Sequence, residues 1–272
     1  MKLSIVSGLN ESLIGIQKDT EEIKSLCKFL KPLGYNGIEL SLLRPEIHDA
    51  KKIMEIVDSY DMEVSALGTG STFIRCGYSL GHVNEQLRQK AIDRLIKYMD
   101  FAIETESLVI IGLIRGRYNY DSSLKKERLN IISSLKKCVN LAEDRDVELV
   151  FEPINQFEID SYNTIASSLE LIKELNSDNI KLLIDTFHTH LEEDPGFVWD
   201  YLDDIASHIS HLHLADTTRR APGTGHFDFR TFLNIFKNHN YNGYASIETI
   251  MKPSFEDVAK ESAGYLQTII ED

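Results

Sequence analysis

The sequence predicts an α/β chain folded as a single-domain (β/α)8 TIM barrel over residues 1–272. Segments of strand and helix character alternate eight times, about 34 residues per pair, which is the count and repeat length of that barrel. Leu108–Ile114 is an almost unbroken apolar run, the pattern of a parallel strand covered on both faces. The rival architecture, a doubly wound open sheet, calls for a glycine-rich phosphate turn after its first strand, and Gly8 stands alone there. No Pro- or Ser-rich linker and no low-complexity segment divides the chain.

In order, Leu3–Ser7 reads as the first strand. Asp19, with Glu22 three residues on, has the form of a helix start, and Gly34 stops that helix after Leu33. Gly37–Leu42 is the second strand and Asp49–Tyr60 the second helix. Glu63–Leu67 is a third strand ending in Gly68-Thr69-Gly70, and a long polar loop then leads to a periodic helix over Asn84–Glu106. After the Leu108–Ile114 strand come a helix over Asp121–Ala142 and a strand over Glu148–Glu152. The second half repeats the alternation: helix Thr164–Leu175, strand Ile180–Asp185 and a weaker helix over Phe197–Ile205. A short alternating strand from Ser210 follows, then helix Asp228–His239, strand Tyr244–Glu248 and helix Ser254–Ile270. Gly68, Gly70, Gly223 and Gly225 are read as tight-turn residues.

Composition narrows the function. A hydrophobic content of 42% supports a large core, and a net charge of −14 repels phosphate backbones and anionic membrane surfaces. Neither a nucleic-acid nor a membrane partner is expected. Cys27, Cys76 and Cys138 are odd in number and widely spaced, and two of them fall on amphipathic patterns, as core thiols of a reducing compartment do. Met1-Lys2 runs straight into the first strand, and no apolar run approaches membrane-spanning length, so a cytoplasmic protein is expected.

Barrels of this kind build their sites at the C-terminal ends of the strands. Strand five ends at Glu152, strand six at Asp185 and strand eight at Glu248, while strand seven carries His211 and His213. The period-two phase places Leu149, Phe151, Leu182, Ile184, Leu212, Leu214 and Ile247 opposite this polar set, which can therefore turn inward. Three carboxylates in one mouth repel unless a cation sits among them, so a metal site is expected, with a hydrogen-bonded polar network as the alternative. Three carboxylates and an imidazole form a hard donor set suited to one divalent ion, Mn2+ ahead of Mg2+ or Co2+. Spacing alone leaves open which histidine ligates; His211 reads equally as a ligand, a neighbour of the ligands or a core residue. Arg115 and Arg117 follow the apolar fourth strand. In so acidic a chain they suggest a receptor for a substrate carboxylate or phosphate, with a salt bridge to a neighbouring acid as the alternative.

The runs F-E-P-I-N-Q-F-E, L-I-D-T-F-H, H-L-H-L-A-D-T-T-R and S-I-E-T resemble the xylose isomerase-like sugar epimerase family, which includes the ketose 3-epimerases and hydroxypyruvate isomerase. Three longer strings, S-A-L-G-T-G-S-T-F-I-R-C-G-Y-S-L, L-V-I-I-G-L-I-R-G-R and A-P-G-T-G-H-F-D-F-R, are similar to its ketouronate branch, which interconverts 5-keto-L-gluconate and D-tagaturonate. The resemblance covers nearly the whole chain. It implies metal ligands at Glu152, Asp185, His213 and Glu248, with Glu152 and Glu248 also carrying the proton on opposite faces of the substrate. It further implies substrate contacts at His188, Arg219 and Glu158, a small sugar or sugar acid as substrate, and a homodimer or homotetramer. There are departures: Gln156 stands where several relatives have arginine, and Thr189-His190 where they have an apolar residue and asparagine. His190 reads as an exposed residue or a neighbour of the site. An aldose–ketose isomerase or an inosose dehydratase-like lyase on the same barrel is the competing enzyme reading. A metal-dependent endonuclease is disfavoured by charge. A silent sugar-binding barrel is disfavoured because both glutamates are present.

Overall fold

The computed structural model describes residues 1–9, 16–118, 123–194 and 198–270. Eight parallel strands close on themselves in sequence order: β1 (Lys2–Gly8), β2 (Gly37–Ser41), β3 (Glu63–Gly68), β4 (Leu108–Ile111), β5 (Leu149–Phe151), β6 (Ile180–Asp185), β7 (Ile209–Leu214) and β8 (Tyr244–Ile247). Closure is made by β1 against β8, with Lys2 opposite Tyr244 and Ile5 opposite Ile247. The helices are α1 (Ile16–Leu30), α2 (Ala50–Asp58), α3 (Gly70–Cys76), α4 (Glu85–Thr105), α5 (Leu124–Glu143), α6 (Ile165–Leu175), α7 (Thr186–Glu192), α8 (Val198–Ile205), α9 (Phe229–Asn238) and α10 (Phe255–Ile270). The (β/α)8 expectation holds.

Local chemistry explains most boundaries. Asp49, Asn84, Thr164 and Asp228 each accept a hydrogen bond from a first-turn amide of the following helix, and all four stand at the starts read from the sequence. Gly34 ends the first helical stretch at φ +86°, a value glycine adopts without penalty. Asp19, by contrast, lies inside α1 rather than at its start. The expected helix starts at Asp121 and Phe197 fall outside the described residues.

Two further differences concern the loops above the barrel. The polar stretch after β3 contains α3, closed by Gly77 at φ +68°, and the residues after Asp185 form α7. The apolar run to Ile114 is not all strand: β4 stops at Ile111, and Leu113–Arg115 make a 3-10 turn. Ile114 is nevertheless fully buried, so its apolarity reports burial rather than strand.

Outward residues such as Ile5, Ile38, Val109 and Leu212 join the helices in one continuous core. The inside of the barrel is divided. From β3 to β6 it is an apolar plug of Ala66, Ile110, Val150 and Leu183. On β7, β8, β1 and β2 the buried residues alternating with that outer core are polar: His211, His213, Ser246, Ser4 and Glu39.

At α9, Phe229, Phe232 and Phe236 are all fully buried and stack in tilted or edge-on contacts with Phe227, Trp199 and Tyr241. Asp228 caps this helix through Thr231 N–H at 3.0 Å and Thr231 Oγ1 at 2.6 Å. Asp228→Ala is expected to cost about 1 kcal/mol in urea unfolding. The Thr231 hydrogen bonds hold the Asp228 carboxyl below its ordinary value. The cap's contribution is therefore present above the unfolded-state pKa and fades as pH falls through the folded one, so the wild type–variant gap should close in acid.

Candidate active site at the mouth of the barrel

Alternation along four consecutive strands delivers the polar set. Glu152 follows β5, Asp185 ends β6, His213 lies on β7 and Glu248 follows β8. His213 Nδ1 stands 3.4 Å from Glu152 Oε1, 3.5 Å from Glu248 Oε2 and 3.8 Å from Asp185 Oδ2. The three atoms His213 Nδ1, Glu152 Oε1 and Asp185 Oδ2 are buried, and none has a hydrogen-bond partner among the described residues. Such atoms cost free energy unless something satisfies them, and here they point at one another. Asp185 divides its duties: Oδ1 caps α7 by accepting from Phe187 N–H at 2.6 Å and His188 N–H at 3.0 Å, which leaves Oδ2 turned to the cluster.

Electrostatics report the same concentration of negative charge. Burial pushes the Asp185 carboxyl up to about 6, with His188 pulling against it. Burial alone would depress the His213 imidazole, but Glu39 and Glu248 reverse the effect and hold it well above its ordinary value. Burial would raise Glu248; the charges of His213 and Arg219 hold it far below the usual carboxylate range. Carboxylates gathered this closely attract a divalent cation for the same reason that they favour the charged imidazole. Glu152, Asp185, His188 and Glu248 bring one ligand atom each within 4.8 Å of one another, and His213 Nδ1 faces three of them. These residues can hold a metal.

A cavity of about 300 Å³ opens over the cluster, lined by Glu152, Glu158, His188, His213, Arg219 and Glu248, with Val6, Ile74, Ile110, Leu113 and Ile154 as its apolar surface. His188 is buried and its Nδ1 lies 2.7 Å from the Asn155 amide nitrogen. Asn155 Oδ1 accepts from Phe157 N–H, which identifies the other amide atom as the donor. Nδ1 of His188 therefore accepts, and its proton sits on Nε2, 3.9 Å from Glu152 Oε1. Arg219 lies over the Phe187 ring, bonds Glu158 Oε1 and reaches Glu248 Oε2 at 3.3 Å. Its backbone is left-handed at φ +56°, a conformation costly for an L side chain and one that surrounding contacts must enforce. Asp216 and Ile250 do so: Arg219 N–H donates to the Asp216 carbonyl, and the Arg219 carbonyl accepts from Ile250 N–H.

Two of the expected substrate contacts lie apart from this cavity. Arg115 is fully buried, with Nη1 donating to the carbonyls of Glu152 at 2.7 Å and of Ile111 and Gly112 at 3.2 Å. Its Nη2 donates to the Ser161 carbonyl, and the guanidinium stacks on Phe151. The turn after Gly112 swings this side chain inward to tie loops together, away from the cavity. Arg117 is exposed but spends Nε on the Glu158 carbonyl and Nη2 on that of Phe157, and it lines a separate hollow beside Tyr118. Neither lines the cavity over the carboxylate cluster. Arg115→Met is accordingly expected to lower stability by roughly 2–3 kcal/mol in urea unfolding, because it takes the guanidinium donors from the Glu152 and Ser161 carbonyls while those of Ile111 and Gly112 keep backbone N–H donors. The preference between acidic and neutral substrates should stay unchanged.

His190 is exposed on α7. His211 is fully buried, and its Nε2 donates to Glu39 Oε2 at 2.9 Å. Glu39 is the residue that reading the sequence missed. It is 1% exposed and also accepts from His213 Nε2 at 3.1 Å. The signal was there in G-I-E-L-S, a single acid in the inward phase of a buried strand.

The family model described as "Xylose isomerase-like TIM barrel" matches residues 27–269. Among curated proteins, the chain is 23% identical over 261 residues to 3-dehydro-D-guloside 4-epimerase of Escherichia coli (strain K12), covering 91% of this chain and 95% of the relative. It is 25% identical over 220 residues to L-ribulose 3-epimerase of Methylomonas sp. (strain DH-1), covering 79% and 74%. The solved structure of an L-ribulose 3-epimerase superposes with a TM-score of 0.85 at 20% identity, covering 99% of this chain and 94% of that one, a likeness of fold. With the closed eight-stranded barrel and a family match running from α1 into α10, the chain belongs to the xylose isomerase-like TIM barrel family.

Proposed function

We propose that this chain is a divalent-metal-dependent epimerase that inverts a carbon next to the ketone of a keto-sugar. The carrying observation is the convergence of Glu152 Oε1, Asp185 Oδ2 and His213 Nδ1, buried and without hydrogen-bond partners among the described residues, with Glu248 Oε2 beside a cavity that Glu152, His213 and Glu248 line. Glu152, Asp185, His213 and Glu248 would hold the ion, Mn2+ ahead of Mg2+ or Co2+ for so hard a donor set. When bound, it would supply Lewis-acid stabilisation of the enediolate that forms when the proton leaves.

The proton chemistry belongs to two glutamates. Glu152 and Glu248 extend from β5 and β8, three strands apart, and flank His213 Nδ1 at nearly equal distances. In this reading one takes the proton and the other returns it from the opposite face, so the centre inverts. Arg219, 3.3 Å from Glu248, keeps that carboxylate ionised, and the Nε2–H of His188 is placed to donate to a substrate oxygen. Glu158 holds Arg219 in position from the other side.

Ketoses and ketouronates both fit this chemistry. The long motif strings favour a ketouronate of the 5-keto-L-gluconate/D-tagaturonate type. Arg219 is the only lysine or arginine among the described residues lining the cavity, and it is already shared by two glutamates. The test incubates Mn2+-loaded protein with ketoses, ketouronates and sugar phosphates in D2O and follows the carbon beside the carbonyl by NMR. Deuterium uptake with inversion is expected for one class. Absence of uptake across the panel would overturn the reading, and uptake with migration of the carbonyl would redirect it to isomerisation.

A further inference from the structure

Glu39 is buried among groups that have no need of a charge unless the charge does something. It sits on β2, across the barrel mouth from β7, and accepts hydrogen bonds from both β7 histidines: His211 Nε2 at 2.9 Å, and His213 Nε2 at 3.1 Å to each of its two oxygens. We infer that Glu39, clamped by His211, is the positioning residue that holds His213 with its Nδ1 aimed at the cation site. The inference rests on the metal reading above.

Three observations converge on it. First, the two ring nitrogens of His213 have different surroundings. Among the described residues Nε2 meets only Glu39 as a hydrogen-bonding partner, whereas Nδ1 has none and faces Glu152, Asp185 and Glu248. A proton held on Nε2 by a carboxylate leaves the lone pair on Nδ1 and makes that nitrogen the better donor to a cation. Second, Glu39 itself lines the cavity, so an unrestrained carboxylate there could turn toward the ion and compete with the ligands. His211 opposes that motion. Its own Nδ1 is buried without a partner among the described residues, so its proton belongs on Nε2, where Glu39 accepts the hydrogen bond. Third, the two rings stand edge to face at 5.3 Å on alternate positions of one strand, so β7 presents two donors to the same carboxylate. The interaction joins residues 172 and 174 positions apart, which ties β2 to the far side of the barrel at the level of the site.

The test compares Mn2+ binding by titration calorimetry in wild type, Glu39→Gln and Glu39→Asp, with melting curves to confirm folding. Glu39→Gln is expected to bind Mn2+ about 10- to 100-fold more weakly, with partial recovery in Glu39→Asp. A second readout needs no variant. In the Zn2+-loaded wild type, 15N NMR should show His213 protonated at Nε2 and coordinated through Nδ1, a signature that mere structural support would not require. Equal Mn2+ affinity in a folded Glu39→Gln, or coordination of His213 through Nε2, would overturn the assignment of Glu39 while leaving the metal site standing. A wild type that binds no divalent ion would overturn both.

Discussion

Glu248→Gln and Glu152→Gln are each expected to lower kcat by about 10²–10⁴-fold, the range over which a positioned acid or base acts. The amide is the same size as the carboxylate and keeps one oxygen toward the cluster, so each variant removes a proton carrier while disturbing the cavity little. The two losses should differ in kind. With Glu248 neutralised, Glu152 still reaches its face of the substrate, and the epimer whose proton lies on that face should exchange deuterium without inverting. With Glu152 neutralised, the opposite epimer should behave so. Mixed-substrate NMR in D2O separates the cases. If both variants lost metal and exchange together, with no difference between epimers, the two-face scheme would be abandoned. Glu248 is the more exposed of the pair at 31% against 7% for Glu152, and Arg219 rests on it, so its variant should also weaken substrate binding.

Asp185 supports a second large effect because its two oxygens do different work. Asp185→Asn retains Oδ1 as cap of α7 but removes the charge at Oδ2, so metal affinity should fall by roughly 100-fold or more with little change in stability. Asp185→Ala should add a stability loss of about 1 kcal/mol as Phe187 and His188 amides lose their acceptor. Calorimetric Mn2+ titration and urea unfolding, run on both variants, read the two effects independently. Equal metal affinity in Asp185→Asn and wild type would remove Asp185 from the ligand set.

The fold was legible because strand–helix alternation and caps such as Asp49, Asn84 and Thr164 are local facts of sequence. The convergence of the four candidate residues was legible for a related reason: period-two alternation on β5 to β8 turns Glu152, Asp185, His213 and Glu248 to one side whatever the loops do. Arg115 was misplaced because its orientation depends on the backbone turn at Gly112, where the strand ends three residues before the apolar run does. Glu39 escaped notice because its partners lie on β7, and no local pattern encodes a contact across the barrel. α3 escaped because Gly70–Cys76 carries too few apolar residues to show a helical period.

The divided interior of the barrel separates two kinds of evolutionary freedom. Ala66, Ile110, Val150 and Leu183 form the half that resists unfolding, and changes at Ala66, Val150 and Leu183, which do not line the cavity, should be felt through stability alone. Ser4, Glu39, His211 and Ser246 form the half that holds up the site, and two hydroxyls of that wall, Ser4 and Ser246, have no hydrogen-bond partner among the described residues. Apolar replacements in that second half would relieve buried polarity and can make the barrel sturdier even as they silence it. Selection for robustness and selection for chemistry thus pull on opposite walls of the same cylinder, and a sturdier descendant that has lost its acids would keep the shape of an enzyme without its work.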